Sequence, residues 1–280
     1  MLVRHFAFFV LALLKVSTFC FGDELQKDPF KVVHADAVSH GSNRQELLGD
    51  VIVERDEHEL HAGRMVYSSE SGLLEAWRNV AIKEEDLELE CRRLSFSTRK
   101  DEAVAWGDAK LHQKELRGRR RYLTTLSGVQ IRLFTKEKRV QVLENVLLTR
   151  YLEEKNGKSV ELRVSCRALD ALYSTMKSTF KGNVEVETST VGARAQRAIF
   201  DQRSGKFYLL GNAQAWNFDA SGNRINIITG DKIVYFTKEK RTVVIGNVTA
   251  SVEPELQSTE RKLPLSVDTI RDTGEFDKNE

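Results

Sequence analysis

From about residue 31 to residue 252, apolar and polar residues alternate with a period of two, and the alternation arrives in repeated blocks. A period of two belongs to a strand with one buried and one wet face, not to a helix. Each block opens on a small residue, taken as position 0: Ala62, Cys91, Gly128, Cys166, Ala195 and Gly230. Positions 0, +3 and +5 are apolar, and +5 is bulky in Tyr67, Phe96, Leu133, Phe200 and Tyr235, with Ala171 the exception. The change of step between 0 and +3 predicts a bulge near the start of that strand. A turn-rich segment follows, such as Ser68–Gly72 or Gln202–Gly205, and then a second strand with apolar residues at +12, +14, +18 and +20. Its middle reads Gly-Asn-Val or a variant at +16 to +18: Gly107-Asp108-Ala109, Gly182-Asn183-Val184, Gly211-Asn212-Ala213 and Gly246-Asn247-Val248. Arg78-Asn79-Val80 and Glu144-Asn145-Val146 are looser copies, and in all of them +17 is Asn or Asp and is expected to face water. The hexapeptide FTKEKR occurs twice, at Phe134–Arg139 and Phe236–Arg241, each time at an expected hairpin tip.

A degenerate copy begins at Val33 and ends in Gly49-Asp50-Val51, which makes seven copies of a two-strand unit. That predicts about fourteen short antiparallel strands and no helix. One apolar face per strand has to be buried against another sheet or across a rolled one. The fold class is therefore all-β, a repetitive antiparallel open β-jelly roll or a stacked two-sheet sandwich.

The ends of the chain divide it further. Met1–His5 carries Arg4, Phe6–Leu14 is apolar, and Cys20-Phe21-Gly22 precedes the acidic Asp23-Glu24. This is the order of a secretory signal. Lys15 interrupts the apolar run, so a spanning helix of about 20 apolar residues would bury a charge. Two outcomes stay open: cleavage and release on the far side of the membrane, or retention of residues 6–22 as an anchor. The predicted organisation is 1–22 signal peptide, 23–32 polar leader, 33–253 repeat domain and 254–280 polar tail.

Composition narrows the function. Lys and Arg number 43 against 41 Asp and Glu, and loss of Arg4 and Lys15 with the signal leaves 41 of each. A neutral chain is not that of a nucleic-acid binder, and the short basic run Arg117–Arg121 reads as a solvated loop. Cys91 and Cys166 both occupy position 0, where Ala62 and Ala195 stand elsewhere, and read as free buried thiols. A disulfide is the alternative that an exported compartment permits. No catalytic site emerges. His58-x-x-His61 lacks the helical context of a metalloprotease motif, and neither cysteine has the close Cys or His of a zinc site. No catalytic residue, metal or cofactor is assigned.

Six copies in one register, each a small-x-x-apolar-x-aromatic strand followed by a strand entering Gly-Asn-Val, resemble the OstA-like family of lipopolysaccharide-transport proteins. That family includes periplasmic LptA, LptC and the amino-terminal domain of LptD, and the resemblance covers about Val33 to Val252. It implies an open β-jelly roll whose apolar interior shields the acyl chains of lipid A and bridges inner and outer membrane. It also implies edge-to-edge stacking with LptC-like and LptD-like proteins, or with itself. Two alternatives remain: an anchored LptC-like adaptor, and a repetitive β-scaffold acting on polysaccharide.

An acyl-chain carrier needs a continuous apolar groove rather than a polar site. The candidate lining is Tyr67, Phe96, Phe200, Leu209, Tyr235, Val244 and Val248. Counting by twos also puts +16 on the apolar face, where Gly107, Gly182, Gly211 and Gly246 either let the sheet bend or leave space for a chain. Unpaired first and last strands, near Lys31–Asp36 and Thr242–Val252, are the candidate docking edges.

Overall fold

The computed structural model describes residues 30–251 and 267–269, apart from 56–57, 135, 155–156, 173, 202, 237–238 and 240. The expected signal peptide lies outside the described residues. Seventeen strands form one sheet, and the described residues contain no helix. The first five are β1 (Lys31–His34), β2 (Ala37–His40), β3 (Arg44–Arg55), β4 (His58–Ser68) and β5 (Leu73–Glu84). Then come β6 (Leu87–Ser97), β7 (Glu102–Arg117), β8 (Arg120–Phe134), β9 (Arg139–Glu154) and β10 (Gly157–Leu172). The remainder are β11 (Lys177–Glu187), β12 (Val191–Asp201), β13 (Lys206–Phe218), β14 (Arg224–Phe236), β15 (Arg241–Ile245), β16 (Thr249–Ser251) and β17 (Val267–Thr269).

From β3 to β14 each strand pairs antiparallel with the next in a plain meander. At the start, β1 and β2 both pair with β3. At the end, β15 and β16 both pair with β14. Each of those couples is one strand interrupted at its middle, so the sheet has fourteen antiparallel passes, the number the repeat predicts. The two hexapeptide tips close in the same way. Phe134 pairs with Arg139 and Phe236 with Arg241 across the hairpin, and each guanidinium lies over its ring, at 5.5 and 4.6 Å.

A line of bulges crosses this sheet. The register slips at the same place in each pairing from β3 to β14, for example between Trp77 and Val80 on β5 and between Trp106 and Ala109 on β7. The extra residue always comes from positions +16 and +17, which are both left-handed: Arg78 and Asn79 at φ 66° and 54°, Gly182 and Asn183 at 79° and 49°. Gly tolerates that region freely and Asn or Asp better than other residues, which accounts for the composition of the pair. The bulge predicted from the change of step between 0 and +3 is this one, seen from the partner strand.

Bulges bend a sheet. The inward residues on both sides of the line, such as Leu94 and Phe96 on one half of β6 and Leu87 and Leu89 on the other, belong to one hydrophobic core. No second layer is present among the described residues, so the sheet buries its own apolar face by folding along the bulge line. β1 starts at Lys31, and the Phe30 ring meets Tyr67 edge-on at 5.5 Å. Within the tail, β17 runs parallel to β15, pairing Val267–Thr269 with Thr242–Val244.

Candidate functional site

The inner face is laid out in rows that run from strand to strand. Leu47, Met65, Ala76, Leu94, Ala105, Ile131, Val142, Leu169, Phe180, Ala198, Leu209, Ile233 and Val244 are successive cross-strand partners from β3 to β15. All are buried. The row beyond it, nearer the hairpin tips, carries Tyr67, Phe96, Phe200 and Tyr235 in the same pairing order. Phe96 and Phe200 are fully inside, while Tyr67, Tyr235 and Val248 are partly buried and packed against the core. Burial raises the Tyr235 phenol above its ordinary pKa. The structure therefore brings Tyr67, Phe96, Phe200, Leu209, Tyr235, Val244 and Val248 onto one apolar surface.

It does not bring the glycines there. The Cβ that each lacks would meet the +1 residue of the preceding strand: Arg92 Cβ at 2.9 Å for Gly107, Arg167 Cβ at 2.8 Å for Gly182, Gln196 Oε1 at 2.7 Å for Gly211 and the Asp231 carboxylate for Gly246. Those four partners are exposed. Position +16 thus points outward, and the expectation that Gly107, Gly182, Gly211 and Gly246 open the groove is corrected. Counting by twos assumes an extended chain, and the left-handed pair turns +16 to the other face. Arg78 and Glu144 at this position are consequently exposed. In the Arg78 copy the glycine has moved to +1, where a Cβ on Gly63 would lie 2.9 Å from Arg78 Cβ.

The small residue at position 0 has a different cause. A Cβ on Gly128 would lie 2.5 Å from Val142 Cγ1 and 3.2 Å from the Leu143 carbonyl, and Gly230 is enclosed in the same way by Val244 and the carbonyls of Ile245 and Gly246. The bent neighbouring strand closes in at this point. Cys91 and Cys166 fill the same niche as free, buried thiols. Burial pushes them up to about 12 and about 11 respectively, which leaves them poor nucleophiles.

One part of the inner face was not legible as a site. β7 to β10 are 15 or 16 residues long and extend the half-sheet that follows the bulge line. There Gln113 pairs with Thr124, and Thr124 with Arg150. Arg150 is wholly buried, with Glu161 Oε2 3.0 Å from its Nε, Glu115 Oε2 3.5 Å from Nη2 and the Tyr122 ring 4.2 Å away. The alternation 146, 148, 150 on β9 is the sequence signal that would have found it.

Elsewhere little gathers. His58 and His61, three residues apart on a strand, point to opposite faces; His58 lies 3.8 Å from Glu84 and His61 beside Glu59. A cavity of about 570 Å³ lies on the outer side of the bulge line, among Arg64, Trp77, Arg78, Asn79 and Arg92.

Comparison with solved structures finds LptH of Pseudomonas aeruginosa, described as the LptA-homologous periplasmic component of the lipopolysaccharide transport device. The identity is 11%, the TM-score 0.31, and the match covers 52% of this chain and 76% of that one. Comparison with curated proteins gives no match. Residues 33–241 match the family described as LptA/(LptD N-terminal domain) LPS transport protein, a span that takes in the repeat from β1 to the first residue of β15. The chain belongs to that family, and its role is in lipopolysaccharide transport.

Proposed function

We propose that the protein carries lipopolysaccharide by holding its lipid A acyl chains between the two halves of the folded sheet, in the periplasm, as one segment of a bridge between the inner and outer membranes. The observation that carries this reading is the unbroken apolar row from Leu47 to Val244, which runs along the bulge line and offers a chain a dry path from strand to strand. Burying about ten methylenes stabilises binding by roughly 8 kcal/mol, at ~0.8 kcal/mol each. No polar contact is required for that. The inner rows pack against one another, so loading parts the two half-sheets and exchanges side-chain contacts for contacts with the acyl chain.

Edges supply the partners. Along β2 the described residues pair only with β3, and this strand offers a template for a similar domain, LptC-like, LptD-like or a second copy. At the other end β17 lies along Thr242–Val244 of β15, and among the described residues Thr249–Ser251 of β16 pair only with β14.

A displacement assay tests the carrier reading. The protein is loaded with a fluorescent fatty-acyl probe and titrated with lipopolysaccharide or with the same molecule stripped of its acyl chains. Intact lipopolysaccharide displaces the probe and the stripped form does not. Equal displacement by both, or by neither, overturns the reading.

A further inference from the structure

Moving outward from the bulge line on the long strands, the inner face changes character within one step. Leu89, Leu111, Leu126, Leu148 and Val164 are successive cross-strand partners on β6 to β10, and none is more than 1% exposed. The next row is Leu87, Gln113, Thr124, Arg150 and Leu162, also buried but polar at its centre. Beyond it, Glu115 pairs with Tyr122. Glu161 is the extra residue of a second bulge on β10, between Val160 and Leu162, and that bulge sets its carboxylate against Arg150.

Stability does not account for this arrangement. A buried ion cluster is commonly replaced by well-packed apolar residues at no cost or with a gain, and leucine fills the adjoining row. One member is also left incomplete: Gln113 is 6% exposed, and its Oε1 finds no hydrogen-bond partner among the described residues. A buried acceptor without a donor destabilises the empty protein. It is what a ligand donor would satisfy.

We propose that Gln113, Thr124 and the Arg150 cluster form a polar subsite for the head of an amphiphile whose acyl chains lie on the leucine row. The inference rests on the carrier reading. The geometry suits it, because rows two residues apart along a strand are separated by ~7 Å, enough to carry a head beyond the first methylenes of its chain. The chemistry selects the head. Arg150 is already engaged by the carboxylates of Glu115 and Glu161, and the orphan acceptor on Gln113 favours an uncharged head rich in O–H or N–H donors. A phosphate gains nothing there.

The test compares two probes with identical acyl chains, one bearing a glucosamine amide head and the other a phosphate head, on the full chain and on Gln113→Met. The unaltered protein binds the glucosamine probe at least tenfold more tightly. Gln113→Met reduces that ratio below threefold and changes binding of the phosphate probe less than twofold. The substitution also removes the orphan acceptor, so the thermal midpoint of the empty protein rises, by roughly 2–4 °C; a purely structural glutamine would lower it. Thr124→Val repeats the binding comparison at the neighbouring position. Both probes binding without preference, or an unchanged ratio in Gln113→Met, overturns the subsite and leaves the carrier reading standing. Failure of both probes to bind overturns the carrier reading and the subsite with it.

Discussion

Position +16 governs the course of each copy because it is left-handed, and in the glycine copies a side chain there would collide with the +1 residue of the preceding strand. Gly182 sits at φ 79°, and a Cβ there would lie 2.8 Å from Arg167 Cβ. Gly182→Ala should therefore cost the left-handed penalty of about 1–2 kcal/mol together with the clash. Arg167→Gly recreates the arrangement of Gly63 and Arg78 and should recover part of the loss. A urea-unfolding double-mutant cycle checks this, and a coupling of at least about 0.5 kcal/mol is expected for residues in contact. Additive losses would contradict it. The pair was half legible in the sequence. The Asn or Asp at +17 reads correctly as a wet position, because period-two counting and backbone preference agree there. Gly at +16 misleads, because the same counting takes no account of a left-handed pair; the exchanged glycine at Gly63 was the available clue. Position 0 was legible as small, but the reason needed the fold: the neighbour's bent backbone at Leu143–Glu144 or Ile245–Gly246 occupies the space.

At the scale of elements, the repeat predicts the strands and their number because each strand carries its own alternation and each hairpin its own turn. The two FTKEKR tips show how local that information is, since equal sequences give equal Phe–Arg closures. Two features were not local enough to read. One is the interruption of the first and last passes into β1 and β2 and into β15 and β16. The other is β17, whose parallel pairing to β15 joins residues about 25 apart in sequence. The open edge makes its own prediction. Val38, 57% exposed on β2, belongs to a strand whose outward N–H groups would pair with an incoming domain. Proline at Ala37 or Val38, whichever N–H points away from β3, removes a docking donor and keeps the pairing to β3. Light scattering should then show loss of association with a similar domain. Association unchanged by both prolines would remove this edge from the account.

For the whole molecule, the bulge line turns a flat repeat into a container. Each copy contributes one outward corner, one small inward residue and two inward faces, and stacking the copies extends the interior, which the long strands β7 to β10 deepen on one side. The all-β class and the open roll follow from the alternation, because half of every strand has to be hidden and the described residues offer no other layer to hide it. The interior's polar lip at Gln113 and Arg150 breaks that rule and was missed for that reason: a charged residue in an apolar phase reads as noise until its partners Glu115, Glu161 and Tyr122 are seen around it. The central claim is that acyl chains travel along the inner rows and not on the outer surface. It is tested most directly by placing a photo-crosslinking residue singly at Phe96, Phe200 or Leu209, inside, and at Asp108 or Gln214, outside, in the presence of lipopolysaccharide. The account predicts adducts at the three inner positions and background at the two outer ones; equal labelling of both sets would contradict it.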